Sequence, residues 1–225
     1  MNARDWKPEC AIGKACPELL ACDDPADLIG IFAPEVQIAV LSRPVDPAIE
    51  AYFAAAAGAG RLGSGFRSTV SLARGLAGLP LPDLPGHELL LADVRWLVEL
   101  YGDLLGCKAV GLRLEVIERA MCPRFHVDRV GLRMLCTYRG PGTEWLHEAS
   151  ADRSLLGSRA EGVDDERSGL IRDPGGIQAI APFSVALLKG CLWQGNQGRG
   201  LVHRSPGIAP DHSPRALMAI DAVWD

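Results

Sequence analysis

Residues 124–146 read RFHVDRVGLRMLCTYRGPGTEWL, and the expectation for the whole chain is built outward from them. GLRMLCTYR, residues 131–139, has the apolar and β-favouring content of a strand, and Gly140-Pro141-Gly142 behind it supplies turn residues. Upstream, KAVGLRLEVIER (108–119) sets Val110, Leu112, Leu114 and Val116 against Ala109, Gly111, Arg113 and Glu115, the two-residue period of a half-buried strand. Downstream come four more short strand-like pieces: GIQAI (176–180), SVALLKG (184–190), GLVHRS (200–205) and PRALMAIDAVW (214–224). Their spacing predicts antiparallel β structure in a sandwich, jelly roll or barrel.

The first 107 residues read differently. Asp46-Pro47 can cap and open a helix through AIEAYFAAAA that Gly58 and Gly60 end. In HELLLADVRWLVELYGDLLG, Leu90, Val94, Leu97, Leu100 and Leu104 fall on one helical face. The stretch between them, RLGSGFRSTVSLARGLAGLPLPDLPG, reads as partly loop. The expected fold class is therefore α+β. A mainly helical extension over 1–107 packs on a β domain over 108–225, with a polar insert at 147–175 that is either disordered or a lid, all forming one structural unit.

His126 and Asp128 stand two residues apart, so on extended backbone both side chains leave the same face. One imidazole nitrogen and one carboxylate oxygen can then meet one ion, and His203, in the later strand-like piece, is the candidate third ligand. Two His and one carboxylate with open positions is the facial arrangement of non-haem Fe(II) sites. Arg124, Arg129 and Arg133 flank the pair and Arg204 and Arg215 follow His203. Arginine matches carboxylate geometry bidentately, so these residues are candidates to hold an anionic cosubstrate.

A strand ending in His-x-Asp, a second strand, a glycine turn, a strand entered through Pro, then a distal His and a following Arg resembles the Fe(II)/2-oxoglutarate dioxygenases, particularly the prolyl-hydroxylase-like ones. That resemblance implies a double-stranded β-helix (jelly-roll, cupin-like) domain, Fe(II) held by His126, Asp128 and His203 as the catalytic centre, and 2-oxoglutarate as cosubstrate. Its far carboxylate would fall to Arg215, twelve positions after His203, with Arg204 as runner-up. Arg133, Thr137 and Tyr138 resemble the next strand, with Thr137 or Tyr138 assisting as a cosubstrate contact. HVDRVGLRMLCTYRGPGTEWL, and LLKG followed by W-x-G-N-x-G-x-G-L-V-H-R-S-P, also resemble the bacterial domain of unknown function 1826 family, which implies a metal-linked role. A non-catalytic cupin-like protein binding Zn(II) in zinc homeostasis remains the alternative.

Other signals exclude more than they assign. A net charge of −5 and a pI near 5.6 argue against a broad nucleic-acid footprint. No apolar run reaches the roughly 18–20 residues of a membrane span, and MNARDWKPEC lacks the core of a secretory signal, so the expected compartment is cytoplasmic. Seven cysteines, an odd number, read as thiols. Cys10, Cys16 and Cys22 lack zinc-knuckle spacing, and His147 and His212 are loop imidazoles that could replace a ligand. WQGNQGRG (193–200) reads as a turn at the mouth of the site. The substrate, small molecule or protein, is not encoded in any readable motif.

Overall fold

The computed structural model describes residues 18–76, 78–118, 123–157, 164–207 and 214–224. In chain order the elements are β1 (Leu19–Cys22), β2 (Ile38–Leu41), α1 (Pro47–Gly58), β3 (Gly65–Ser71), α2 (His87–Leu105), β4 (Ala109–Ile117), β5 (Leu132–Arg139), β6 (Glu144–Leu146), α3 (Asp165–Ser168), β7 (Ile177–Ala179), β8 (Val185–Lys189), β9 (Val202–Arg204) and β10 (Arg215–Val223). Seven strands make one sheet in the order β1-β2-β8-β5-β10-β4-β3, and three make a second in the order β7-β6-β9. Next to β9, His126 forms an isolated antiparallel bridge with His203. From β4 onward the chain thus alternates between the sheets, placing His126 in the small one, β5 in the large, β6 and β7 in the small, β8 in the large, β9 in the small and β10 in the large.

The two-residue period sorts side chains onto two cores. Val110, Leu112 and Leu114 of β4, Met134, Cys136 and Tyr138 of β5, and Met218 and Ile220 of β10 face the helices, where they meet Tyr52 and Phe53 of α1 and Leu90, Val94, Leu97 and Tyr101 of α2. Their neighbours point the other way. Leu135, Leu217 and Ala219 join Ile38, Val40, Ala186 and Leu188 against Trp145 and Leu201 of the small-sheet side. Tyr101 ties the layers together, donating to the Leu132 carbonyl at 2.7 Å and accepting from the Ala222 amide at 3.2 Å.

Both expected helices form. Asp46 caps α1 by accepting from the Ala48 and Ile49 amides, with Pro47 opening the helix, an arrangement worth about 1 kcal/mol. The described residues before 108 are not mainly helical, however: β1 and β2 extend one edge of the large sheet and β3 extends the other. β2 pairs with β8 (Val40 opposite Ala186) and β3 with β4 (Arg67 opposite Arg113). The reason they escaped the sequence is physical. IAVL is four residues buried on both faces, a run too short and too uniform to show a period, and β3 lies in the glycine-rich stretch read as partly loop.

The described part of the insert packs on the protein, and its Glu166 pairs with Arg204 of the cavity wall, although none of its described residues lines the cavity itself. Ala151, Leu155, Leu156, Leu170 and Ile171 pack with Phe125, Val127 and Val202 in a third apolar cluster behind the small sheet. Among the described residues no helix is long and apolar enough to cross a membrane.

Candidate metal centre

The small sheet brings the three candidate ligands together. His126 and His203 exchange backbone hydrogen bonds, each amide donating to the other's carbonyl at 3.0 Å, so the imidazoles are neighbours with ring centroids 4.6 Å apart. Asp128 reaches the same point from two residues on. Its Oδ1 lies 3.5 Å from His126 Nε2 and its Oδ2 3.3 Å from His203 Nε2. Ligand atoms of all three residues lie within 4.8 Å of one another.

The tautomers suit a cation. His126 Nδ1 donates to the Arg124 carbonyl and His203 Nδ1 to the Leu201 carbonyl, both at 3.0 Å, because a carbonyl can only accept. Each ring therefore keeps Nε2 as the atom facing Asp128, with its orientation fixed from behind, as metal-ligating histidines usually have it. Two ligand atoms about 2.1 Å from one ion at 90–110° stand roughly 3.0–3.4 Å apart, close to the 3.3 and 3.5 Å between the Asp128 oxygens and the two imidazoles.

The electrostatics keep the carboxylate ionised. Burial works against the charge on Asp128, but the hydrogen bonds of His126 and His203 and the positive charge of Arg133 outweigh it and hold the carboxyl well below the usual range. Burial likewise opposes a charge on His126, yet its bonds to Asp128 and the Arg124 carbonyl raise its pKa above the ordinary value.

Behind and beside the triad lies a cavity of about 290 Å³, lined by the triad, apolar Leu135, Leu217 and Ala219, and several arginines. Arg215 is 1% exposed. Its Nε donates to the Pro141 carbonyl at 2.7 Å, and its terminal nitrogens donate to the hydroxyls of Thr143 (2.8 Å), Thr137 (3.2 Å) and Ser205 (3.4 Å). Among the described residues no carboxylate pairs with it. Burial lowers the guanidinium to about 10, against the opposing but weaker attraction of Glu115 in the same cavity wall. Gly140, in the left-handed region at φ 82°, permits the close approach: a Cβ there would meet Arg215 at 3.2 Å.

The other candidates divide. Thr137 joins Arg215, whereas Tyr138, one residue on, faces the helices, donating to Asp93 at 2.5 Å and stacking on Phe53 at 5.4 Å. Tyr138 is therefore not a cosubstrate contact, because successive strand residues face opposite sides. Arg204 lines the cavity but is held by Glu144 and Glu166, each at 2.7 Å, over the Phe125 ring, so it has no charge to spare for a cosubstrate. Arg133 is occupied as well, bonded to Asp128 and Asp221. Arg124 pairs with Asp165, whose carboxylate also accepts from the Phe125 amide. His147 pairs with Glu18 at 2.6 Å, away from the triad. Residues 193–200 contribute nothing to the cavity wall; Asn196 instead anchors that turn to Gln37 and the Gly190 carbonyl. Cys10, Cys16, Cys122 and His212 lie outside the described residues.

Sequence reasoning missed Thr143, Ser205, Asp165 and Asp221. Asp221 was within reach, since it lies six residues after Arg215 on the same strand and hence on the same face. Asp165 carried no signal, being one acid among many in a polar insert.

This geometry can be set beside known proteins. A candidate oxygenase from Shewanella oneidensis is similar at 12% identity and a TM-score of 0.52, over 91% of this chain and 88% of that one, which shows a shared fold. The Arabidopsis thaliana dioxygenase for auxin oxidation, in a complex with 2-oxoglutarate, aligns at 11% identity and 0.49, over 92% of each chain. The rice dioxygenase for auxin oxidation aligns at 17% and 0.48, over 91% of this chain and 82% of that one. A comparison with curated proteins finds no match. The chain belongs to the DUF1826 family, described as proteins of unknown function, whose model matches residues 22–221.

Proposed function

We propose that this protein is a double-stranded β-helix oxygenase that takes Fe(II) at His126, Asp128 and His203 and 2-oxoglutarate against Arg215. One observation carries the reading: a tautomer-fixed His-Asp-His cluster shares its cavity with a buried arginine that has hydroxyl and carbonyl partners but no carboxylate among the described residues. Such a guanidinium fits the carboxylate of a dicarboxylic cosubstrate, since a buried charge is costly until it is paired.

Bound there, Fe(II) and 2-oxoglutarate would supply oxidation of a substrate C–H to C–OH by O2, with the cosubstrate leaving as succinate and CO2. The chain's own residues set the conditions. His126 and His203 present Nε2 because their Nδ1 protons are spoken for, and Asp128 stays ionised beside Arg133. Thr137, Thr143 and Pro141 hold the Arg215 fork rigid, so little ordering remains when a carboxylate arrives. Leu135, Leu217 and Ala219 provide the dry wall that strengthens charge pairing inside.

The three ligands suit Zn(II) as well, which sustains the reading of a metal-binding protein without turnover. Arg215 favours the oxygenase, because a metal-storage role gives nothing to bind to a buried guanidinium that has no ion-paired carboxylate among the described residues. The deciding experiment is anaerobic loading with Fe(II) followed by 2-oxoglutarate titration, watching for a visible charge-transfer band. A band abolished by His203→Ala supports the proposal; bound metal with no band in the wild type overturns it in favour of the zinc reading.

A further inference from the structure

The inner face of the large sheet carries a ladder of alternating charge that starts at the triad carboxylate and ends at the cavity mouth. Arg133 bonds Asp128 at 2.5 Å and Asp221 at 2.8 and 2.9 Å; Arg113 bonds Asp221 at 3.1 Å and Glu115 at 3.3 Å; Arg67 stands 3.5 Å from Glu115. Arg133 and Arg113 each contact two carboxylates. Arg67, at the end, contacts one among the described residues, over the longest distance of the ladder, with its side chain 71% exposed.

Arg67 and Arg113 also stand directly opposite each other in the β3–β4 register, and both line the cavity. Like charges in that position repel, and a single carboxylate, Glu115, is shared between them. An anion at this point would give Arg67 the second partner it lacks and relieve its repulsion with Arg113, which already contacts Asp221 and Glu115. Arg67 is the cavity arginine with charge to spare: Arg113, Arg133 and Arg204 each hold two carboxylates, and Arg215, deeper, falls to the cosubstrate in the proposed function.

We infer that the juxtaposition of Arg67 and Arg113 at the cavity mouth is an anion subsite, and that the substrate is a small molecule bearing a carboxylate or phosphate group docked there. The size follows from the cavity: about 290 Å³ is at the low end of the roughly 300–1,000 Å³ typical of small-molecule sites. Assignment of the anion to a substrate rests on the oxygenase reading; the existence of the subsite does not.

The test uses full-length protein loaded with Ni(II) and 2-oxoglutarate, so that the triad and Arg215 are occupied, and titrates inorganic phosphate and, separately, acetate by calorimetry. One or both should bind, and Arg67→Gln should weaken that binding by about fivefold or more while Arg67→Lys, which keeps the charge, recovers most of it. Preference for phosphate or acetate identifies the group. Arg67 is exposed, so neither variant threatens the fold. Equal affinity in the wild type and Arg67→Gln, or no binding of either anion, overturns the subsite. If 2-oxoglutarate itself does not bind, the oxygenase reading fails separately, and the same titration on metal-free protein still decides whether Arg67 holds an anion.

Discussion

Arg133 grips Asp128 with one terminal nitrogen, at 2.5 Å, while its other two nitrogens close on Asp221 at 2.8 and 2.9 Å. A carboxylate held from behind in this way cannot swing away from the two imidazoles without breaking a charge-assisted bond. Arg133→Met should therefore lower metal affinity by about 10- to 100-fold, the usual effect of removing an outer-shell partner. Metal titration checks this, and an unchanged affinity would show that the ligand is set by other contacts.

Asp165 is the corresponding brace on the small sheet. Buried to 3% exposure, it accepts from the Phe125 amide and from Arg124 at 3.1 Å, immediately before His126. Its neighbour Glu166 holds Arg204, immediately after His203. Asp165→Ala leaves a buried amide without its acceptor and should destabilise the protein by about 1–3 kcal/mol. Metal affinity should fall with it, measured in melts with and without metal; a stability loss at full metal affinity would make Asp165 a fold residue alone.

Arg215→Met should weaken 2-oxoglutarate binding by about 10- to 100-fold, the worth of one charge-assisted pair, with metal binding retained. The pH behaviour has a definite sign. Burial lowers the folded-state guanidinium from 12.5 to about 10, so below that value its charge opposes folding, and the opposition lifts as pH rises from about 10 towards 12.5. A bound carboxylate compensates the charge only while it exists. The thermal stabilisation by 2-oxoglutarate should thus be full at pH 7–9 and shrink above about pH 10.

Gly190 ends β8 against the backbone that follows His126. A Cβ there would lie 2.3 Å from the Val130 carbonyl oxygen and 2.7 Å from that of Asp128, and Gly190 and Cys191 donate to the Gly131 and Asp128 carbonyls. Since backbone cannot yield as a side-chain tip does, Gly190→Ala should cost about 1–3 kcal/mol and displace Asp128. Loss of metal binding in a variant that still folds by circular dichroism is the expected outcome.

Much of the site was legible because strand parity is local. His126 and Asp128 share a face through their two-residue spacing, and β4, β5 and β10 fall where alternation and turn residues place them. The same parity would have separated Thr137 from Tyr138, since Thr137 shares the face of Arg133 and Tyr138 does not. The roles of the arginines were not legible. Five of them line one cavity, and what distinguishes Arg215 from Arg133 and Arg204 is which carboxylates reach each one.

By itself the sequence determined the two helices with the Asp46 cap of the first, the strands long enough to show a period, and the pair His126 and Asp128 on one face, because each follows from neighbours a few positions away. Only the tertiary structure decided that the first hundred residues lend three strands to the large sheet, that the described part of the insert packs behind the small one, and which carboxylates pair with each arginine. Those outcomes depend on partners far apart in the chain: 41 residues from Arg124 to Asp165, 88 from Arg133 to Asp221 and 108 from Arg113 to Asp221. A charge's partner is chosen by folding, and no local pattern of residues records the choice.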